Sequence, residues 1–326
     1  MMTFWPQTYL ALDRYSLCSL AGILRRGIAA LKLRYTFYAQ LLLTTLRICP
    51  QPMNHEQPLT LHFAHANGFP AASYQTLFQQ LPKEWKILSV PQFGHSSRFP
   101  VTANWQHQVT ELIDYVANHA DDSEAVFAVG HSFGAVISFM AACEAPSLFK
   151  GVIMLDPPLV TGAYSWLLKL LKHTPLIDKI TPAALSQKRR RRWQKDTDLV
   201  AYFQTKGLFK NMDRRCVEDY VQGVMKERNG HWELGFNVDV ETAIFRHVPH
   251  NLKRYAGKLQ CPALLVTGQD TAVCVPPQRN TFIRANKLTH QEVQGGHMFP
   301  LEHPDIVASV ISSTLGEWQY EQRKKC

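Results

Sequence analysis

Apolar positions along this chain follow two rhythms that take turns. Leu59-Thr60-Leu61-His62-Phe63 has the density of a buried strand. Tyr74 to Leu81 follows with helical spacing, then Trp85 to Val90 returns to a strand pattern. Trp105, Val109, Leu112, Ile113 and Val116 recur at helical intervals and predict an amphipathic helix over 105–119. Ala125-Val126-Phe127-Ala128-Val129 is a strand run, and Ala135 to Ala142 is apolar all round, as a buried helix is. Gly151-Val152-Ile153-Met154-Leu155 is the next strand, stopped by Asp156-Pro157-Pro158. Ala263 to Thr267 predicts another strand, with a helix near 277–286. Glu292-Val293 is a last short strand, and Ile306, Val307, Val310, Ile311 and Leu315 mark a final helix. Such alternation predicts an α/β fold: a mostly parallel sheet with helices on both faces.

Two stretches break the rhythm. Residues 159–250 are helical in tendency and charged, with no convincing strand run before Trp232-Glu233-Leu234. An insertion of this size between two core strands predicts a helical cap over a site, carried by a core made of 53–158 and 251–326. Residues 1–52 hold Arg14, Arg25, Arg26, Lys32, Arg34 and Arg47 against Asp13 alone, and are rich in Leu and aromatics. That is the composition of a targeting peptide, of a helix in peripheral contact with a membrane surface, or of a start-site artefact with translation beginning at Met53.

Composition narrows the classes. A chain of 326 residues with 46% hydrophobic residues can bury a large core. No apolar run approaches the roughly 18 residues of a transmembrane helix. The net charge of +9 is concentrated in 1–52 and in Lys188-Arg189-Arg190-Arg191-Arg192, so it does not point to nucleic acid; a short basic run in a helical segment reads as a solvated face. Trp166 to Leu171 with this run offers a looser role in docking an acidic or acyl substrate. The seven cysteines are irregularly spaced and lack C-x-x-C, which predicts free thiols and a reducing, cytoplasmic setting.

The chemistry lies at Gly130-His131-Ser132-Phe133-Gly134, between the strand at 125–129 and the helix run. Strand, Gly-x-Ser-x-Gly, helix is a nucleophile elbow. The turn is too tight for side chains two positions either side of the serine, so glycines stand there and the hydroxyl is lifted off the sheet. The helix begins at the nucleophile, and its free N–H groups favour the negative charge that builds up during acyl transfer.

With these motifs in order, residues 58–316 resemble the α/β-hydrolase superfamily, specifically its cap-bearing serine esterase and lipase-like members. The resemblance implies a catalytic serine, acid and histidine in that chain order. Ser132 would be the nucleophile. His297, in Gly295-Gly296-His297-Met298-Phe299-Pro300, would be the base, and Asp270, closing the strand at 263–267, the acid. The family more often places two residues between the strand's glycine and the acid, whereas here there is one. Asp156, at the end of the strand after the elbow, is therefore the alternative acid. Phe133 would supply one oxyanion N–H. The loop His65-Ala66-Asn67-Gly68-Phe69-Pro70 would supply the other: aligning on the histidine selects Asn67, which is carried forward, and aligning on Gly-Phe-Pro selects Phe69. Phe93-Gly94-His95-Ser96-Ser97 matches a family turn with a structural role, and His131 is expected to pack. The implied activity is hydrolysis of a small-molecule carboxylic ester through an acyl-enzyme. Thioester, C–C and perhydrolysis chemistry are the alternatives on the same scaffold, and a non-catalytic binding protein is a third class that has no need of all three residues. The histidines lack metal-ligand spacing and no phosphate-binding glycine motif accompanies the sheet, so neither a metal nor a nucleotide cofactor is expected.

Overall fold

The computed structural model describes residues 58–121 and 125–324. The basic N-terminal stretch 1–52 lies outside the described residues. In chain order the core opens with β1 (Thr60–Ala64), α1 (Gln75–Gln79), β2 (Lys86–Leu88), α2 (Gln106–His119), β3 (Val126–His131), α3 (Phe133–Glu144) and β4 (Phe149–Leu155). An insert follows: α4 (Ala163–Leu171), α5 (Ile177–Ile180), α6 (Ala183–Gln187), β5 (Arg192–Gln194), α7 (Leu199–Gln204), α8 (Arg214–Val224), β6 (Met225–Arg228), β7 (His231–Leu234) and α9 (Val238–Arg246). The core then resumes with β8 (Ala263–Gly268), α10 (Pro276–Asn286), β9 (Thr289–Val293), α11 (Phe299–Glu302) and α12 (Pro304–Arg323).

The main sheet has the order β2-β1-β3-β4-β8-β9, and every pairing in it is parallel. Parallel strands buried on both sides must be apolar on both sides. Leu61, Phe63, Phe127, Val129, Ile153, Leu155, Leu264 and Val266 join one apolar cluster, with Tyr74, Leu77, Val307 and Ile311 from helical segments. Their strand neighbours Ala64, Val126, Ala128, Val152, Met154 and Leu265 join the other, with Val109, Leu112, Val136, Phe139 and Phe282. The period of two thus divides each of the four central strands between two cores, and each fully buried Val, Leu, Ile or Phe contributes about 1.5–3 kcal/mol.

The insert departs from an all-helical expectation. It contains a three-stranded antiparallel sheet, β5-β7-β6. These strands are three or four residues long and mostly polar, with one buried residue apiece; Trp193 is that residue in β5. The basic run also differs from a solvated helix face. It spans the end of α6 and the start of β5, and its members diverge. Arg189 pairs with the buried Glu241, Arg191 with Asp239 and Arg192 with Glu233. The last core strand is longer than the sequence pattern suggests, because β9 is an edge strand and needs few apolar residues. Cys143, Cys216, Cys261 and Cys274 are free thiols. No helix among the described residues is long and apolar enough to cross a membrane.

The start of α3 is pressed against the end of β1. A Cβ on Gly134 would lie 2.0 Å from the Ala64 carbonyl oxygen, and backbone stands on both sides of that contact. Gly134→Ala is therefore expected to lose about 1–3 kcal/mol of stability, the range typical of overpacking. Gly207→Ala, where nothing lies within 4 Å, should have little effect. Denaturant unfolding of the two variants checks this; equal midpoints would contradict the close approach.

Candidate active site

Ser132 follows β3 directly and is the residue before α3. Its backbone has φ 56° and ψ −117°, a region that side chains rarely occupy, so the elbow stores strain to raise the hydroxyl. The Ser132 N–H donates to the Leu155 carbonyl at 2.8 Å, which ties the elbow to the end of β4. Asp156 follows β4 directly. It also has positive φ, 46°, and its N–H donates to the Val266 carbonyl of β8 at 2.8 Å. Because His131 and Leu155 are register partners, Ser132 and Asp156 leave adjacent strands at the same level.

His297 arrives from the loop between β9 and α11. Its Nδ1 lies 2.6 Å from Asp156 Oδ2 and its Nε2 lies 3.0 Å from Ser132 Oγ. Asp156 is 0% exposed and the imidazole 20%. A carboxylate only accepts, so Nδ1 carries the proton and Nε2 is left to accept from the serine hydroxyl. Thr271 Oγ1 donates to the same Asp156 oxygen at 2.6 Å, which fixes the carboxylate from the β8 side. The His297 loop is braced in turn by Glu302, whose carboxylate accepts the Gly296 N–H at 2.9 Å.

Asp270 stands apart from this set. Its side chain is exposed and its N–H donates to the Gly295 carbonyl at 3.0 Å. The imidazole pairs instead with the residue that closes β4, the strand beside β3, while β8 lies one strand further out. The loop after β8 still contributes, through Thr271 rather than through its acid. The hydrogen-bonded set is thus Ser132, His297 and Asp156, the alternative of the two acids.

Phe133 is the first residue of α3, so its N–H has no acceptor within the helix. Its ring is wedged against Phe93 and Trp105. Asn67 lies in the loop after β1, whose root at Ala64 touches Gly134 beside the elbow. The Asn67 side chain is anchored to the insert, donating to the Glu241 carbonyl at 2.9 Å. His65 is buried and donates from Nδ1 to the Ala66 carbonyl while Nε2 accepts the Phe93 N–H.

His131 does more than fill space. Its Nε2 lies 2.9 Å from the His297 carbonyl oxygen and its Nδ1 lies 2.8 Å from Tyr74 Oη. A carbonyl cannot donate, so Nε2 carries the proton and Nδ1 accepts from the tyrosine. Tyr74 Oη accepts in turn from the Ala66 N–H at 3.2 Å. A buried relay therefore runs from the β1 loop through Tyr74 and His131 to the backbone of His297. Thr271 and Tyr74 are the members that sequence reasoning missed; no local motif marks them, because each is selected by a contact across the fold.

A profile of the alpha/beta hydrolase family matches residues 63–310, and the chain belongs to that family. The hydrolase YugF of Bacillus subtilis (strain 168), itself uncharacterized, is 24% identical over 283 residues, covering 78% of this chain and 89% of that protein. A monoglyceride lipase of Rattus norvegicus is 29% identical over 108 residues, covering 31% of this chain and 36% of the lipase. Among solved structures, E-2-(acetamidomethylene)succinate hydrolase matches with TM-score 0.64 at 19% identity over 78% of this chain and 90% of its own. The peroxisomal α/β-hydrolase Lpx1 of Saccharomyces cerevisiae matches with TM-score 0.66 at 14% identity over 80% and 77%. These structural likenesses establish the fold.

Burial holds three histidines near the site neutral. Desolvation, then the neighbouring His65, lowers His62 to about 3. Desolvation lowers His65 to about 4 against the hydrogen bond to Ala66, and desolvation with the nearby His297 lowers His131 well below 6.5. Unfolding frees them to bind protons, so stability falls as pH drops below about 6.5, by up to about 1.4 kcal/mol per pH unit for each histidine. Glu111 acts oppositely: burial raises it to about 7, so the fold holds its proton between about 7 and 4.5 and offsets one histidine. Melting curves should show a lower Tm near pH 5 than near pH 7.5; a constant or rising Tm would contradict neutral burial.

Proposed function

We propose that this chain is a serine hydrolase that cleaves a carboxylic ester through an acyl-enzyme. The observation that carries the reading is the continuous hydrogen-bonded line from Ser132 Oγ through His297 to the fully buried Asp156. Ser132 Oγ attacks the ester carbonyl carbon as His297 Nε2 takes the hydroxyl proton. The Phe133 N–H, with the Asn67 N–H as partner, stabilises the alkoxide; one such donor is worth about 2.7–4 kcal/mol. His297 returns the proton to the departing alcohol oxygen as the C–O bond breaks. Water then repeats the sequence on the acyl-serine and releases the acid. Asp156 holds the imidazole tautomer and stabilises the imidazolium formed in each step.

The relay gives Tyr74 and His131 a positioning role, since it fixes the backbone of His297 relative to the β1 loop. The insert between β4 and β8 serves as a cap over the substrate, and the four free thiols among the described residues fit a reducing, cytoplasmic setting.

Hydrolysis of p-nitrophenyl esters from acetate to palmitate tests the reading. Ser132→Ala should lower kcat by about 10⁴-fold or more while the protein stays folded. Asp156→Asn should cost about 10⁴-fold, because the amide favours the wrong imidazole tautomer. Asp270→Asn should leave kcat within a small factor of wild type. Equal losses for the two aspartate variants would overturn the assignment of Asp156, and wild-type rates in Ser132→Ala would overturn the serine mechanism.

A further inference from the structure

A cavity of about 470 Å³ opens beside Asn67 and Phe69, in the loop that would supply the second oxyanion donor. Its wall is an aromatic ladder. Phe69 meets Phe209 at a centroid separation of 5.2 Å, Phe209 meets Phe203 at 5.0 Å, and Phe203 meets Tyr202 at 5.3 Å. The ladder ends at two cations: Lys206 Nζ lies 4.2 Å from the Tyr202 ring centroid, and the Arg190 guanidinium lies 5.7 Å from it and 5.6 Å from that of Trp193.

The charge around this cavity is unbalanced in a specific way. Its one carboxylate, Glu241, is already committed, accepting from Arg189 at 2.6 Å and from Ser186 at 2.7 Å. Arg189 is committed too, through Glu241 and the Tyr220 hydroxyl. Arg190 and Lys206 pair with no carboxylate among the described residues; Arg190 donates from Nε alone, to the Arg192 carbonyl. The rest of its planar donor fork is available, and such a fork matches a carboxylate or phosphate. Stacking over rings orients both cations without neutralising them.

We propose that this cavity binds the acyl chain of the substrate, and that the chain is apolar along its length and ends in an anion. The proposal rests on the ester-hydrolase reading for the position of the reacting carbonyl, at the Asn67 end. The aromatic ladder takes the methylene chain, and Arg190 and Lys206 take the anionic terminus.

Calorimetry on Ser132→Ala separates this from turnover. Three methyl esters of one eight-carbon acyl chain would be compared: methyl octanoate, monomethyl suberate, and methyl 8-(phosphonooxy)octanoate. At least one anionic ester is expected to bind about tenfold more tightly than methyl octanoate, as charge-assisted pairing with two cations implies. The preference should shrink as salt is raised and fall towards unity when Arg190→Gln and Lys206→Gln are added. Whichever of the two anions binds tighter identifies the terminus. Equal affinities for all three esters, or a preference that survives both substitutions, would overturn the proposal. Wild-type turnover of methyl octanoate and monomethyl suberate is measured alongside. Turnover without an anion preference rejects the cavity assignment alone, whereas a preference without turnover rejects the ester chemistry and keeps the anion site.

Discussion

The hydrogen-bonded register between β3 and β4 is the constraint on which the rest depends. It delivers Ser132 and Asp156 to the carboxyl ends of neighbouring strands at one level, each leaving its strand with positive φ. Neither conformation is favourable alone. Each is held by a ladder hydrogen bond that continues past the strand end, from Ser132 to Leu155 and from Asp156 to Val266. The sheet thereby supplies the energy that keeps two strained residues in place, and one imidazole can reach both.

The loops above the sheet are locked to one another by polar groups that are buried or half-buried. The Ala66–Tyr74–His131–His297 relay joins the β1 loop to the His297 loop through His131. Thr271 joins the β8 loop to Asp156, and His65 joins the β1 loop to Phe93. Most of these groups are buried, so each bond is expensive to lose, and the cost of leaving a donor or acceptor unmet is about 1–3 kcal/mol. Precision at the serine is therefore a property of the network, and burial favours the neutral form of two of its members, His65 and His131.

Much of this was legible in the residues. The core strands and helices follow from two periodicities, and Ser132 and His297 from glycines that relax the turns around them. The motif reading selects Asp270 with Asp156 as the alternative, because chain order does not fix which strand lies beside β3. A clue existed: consecutive strands joined by one helix usually lie side by side, which makes β4 the natural neighbour of β3. Asp270 looked suitable by motif, yet β8 stands beyond β4 and its loop sends Thr271 inward instead. The strands of the insert were hidden for a different reason. Short polar segments such as Arg192–Gln194 and Met225–Arg228 carry too few apolar residues for a period of two to emerge. Tyr74 belongs to the site only through a contact 57 positions away.

The most direct test of the central claim is covalent capture of the nucleophile. Intact wild-type protein would be treated with a fluorophosphonate, digested, and mapped by mass spectrometry. An activated Ser132 predicts a single adduct on the peptide containing Gly130-His131-Ser132, lost in His297→Ala. An adduct elsewhere, or a folded protein that takes up none, would contradict it.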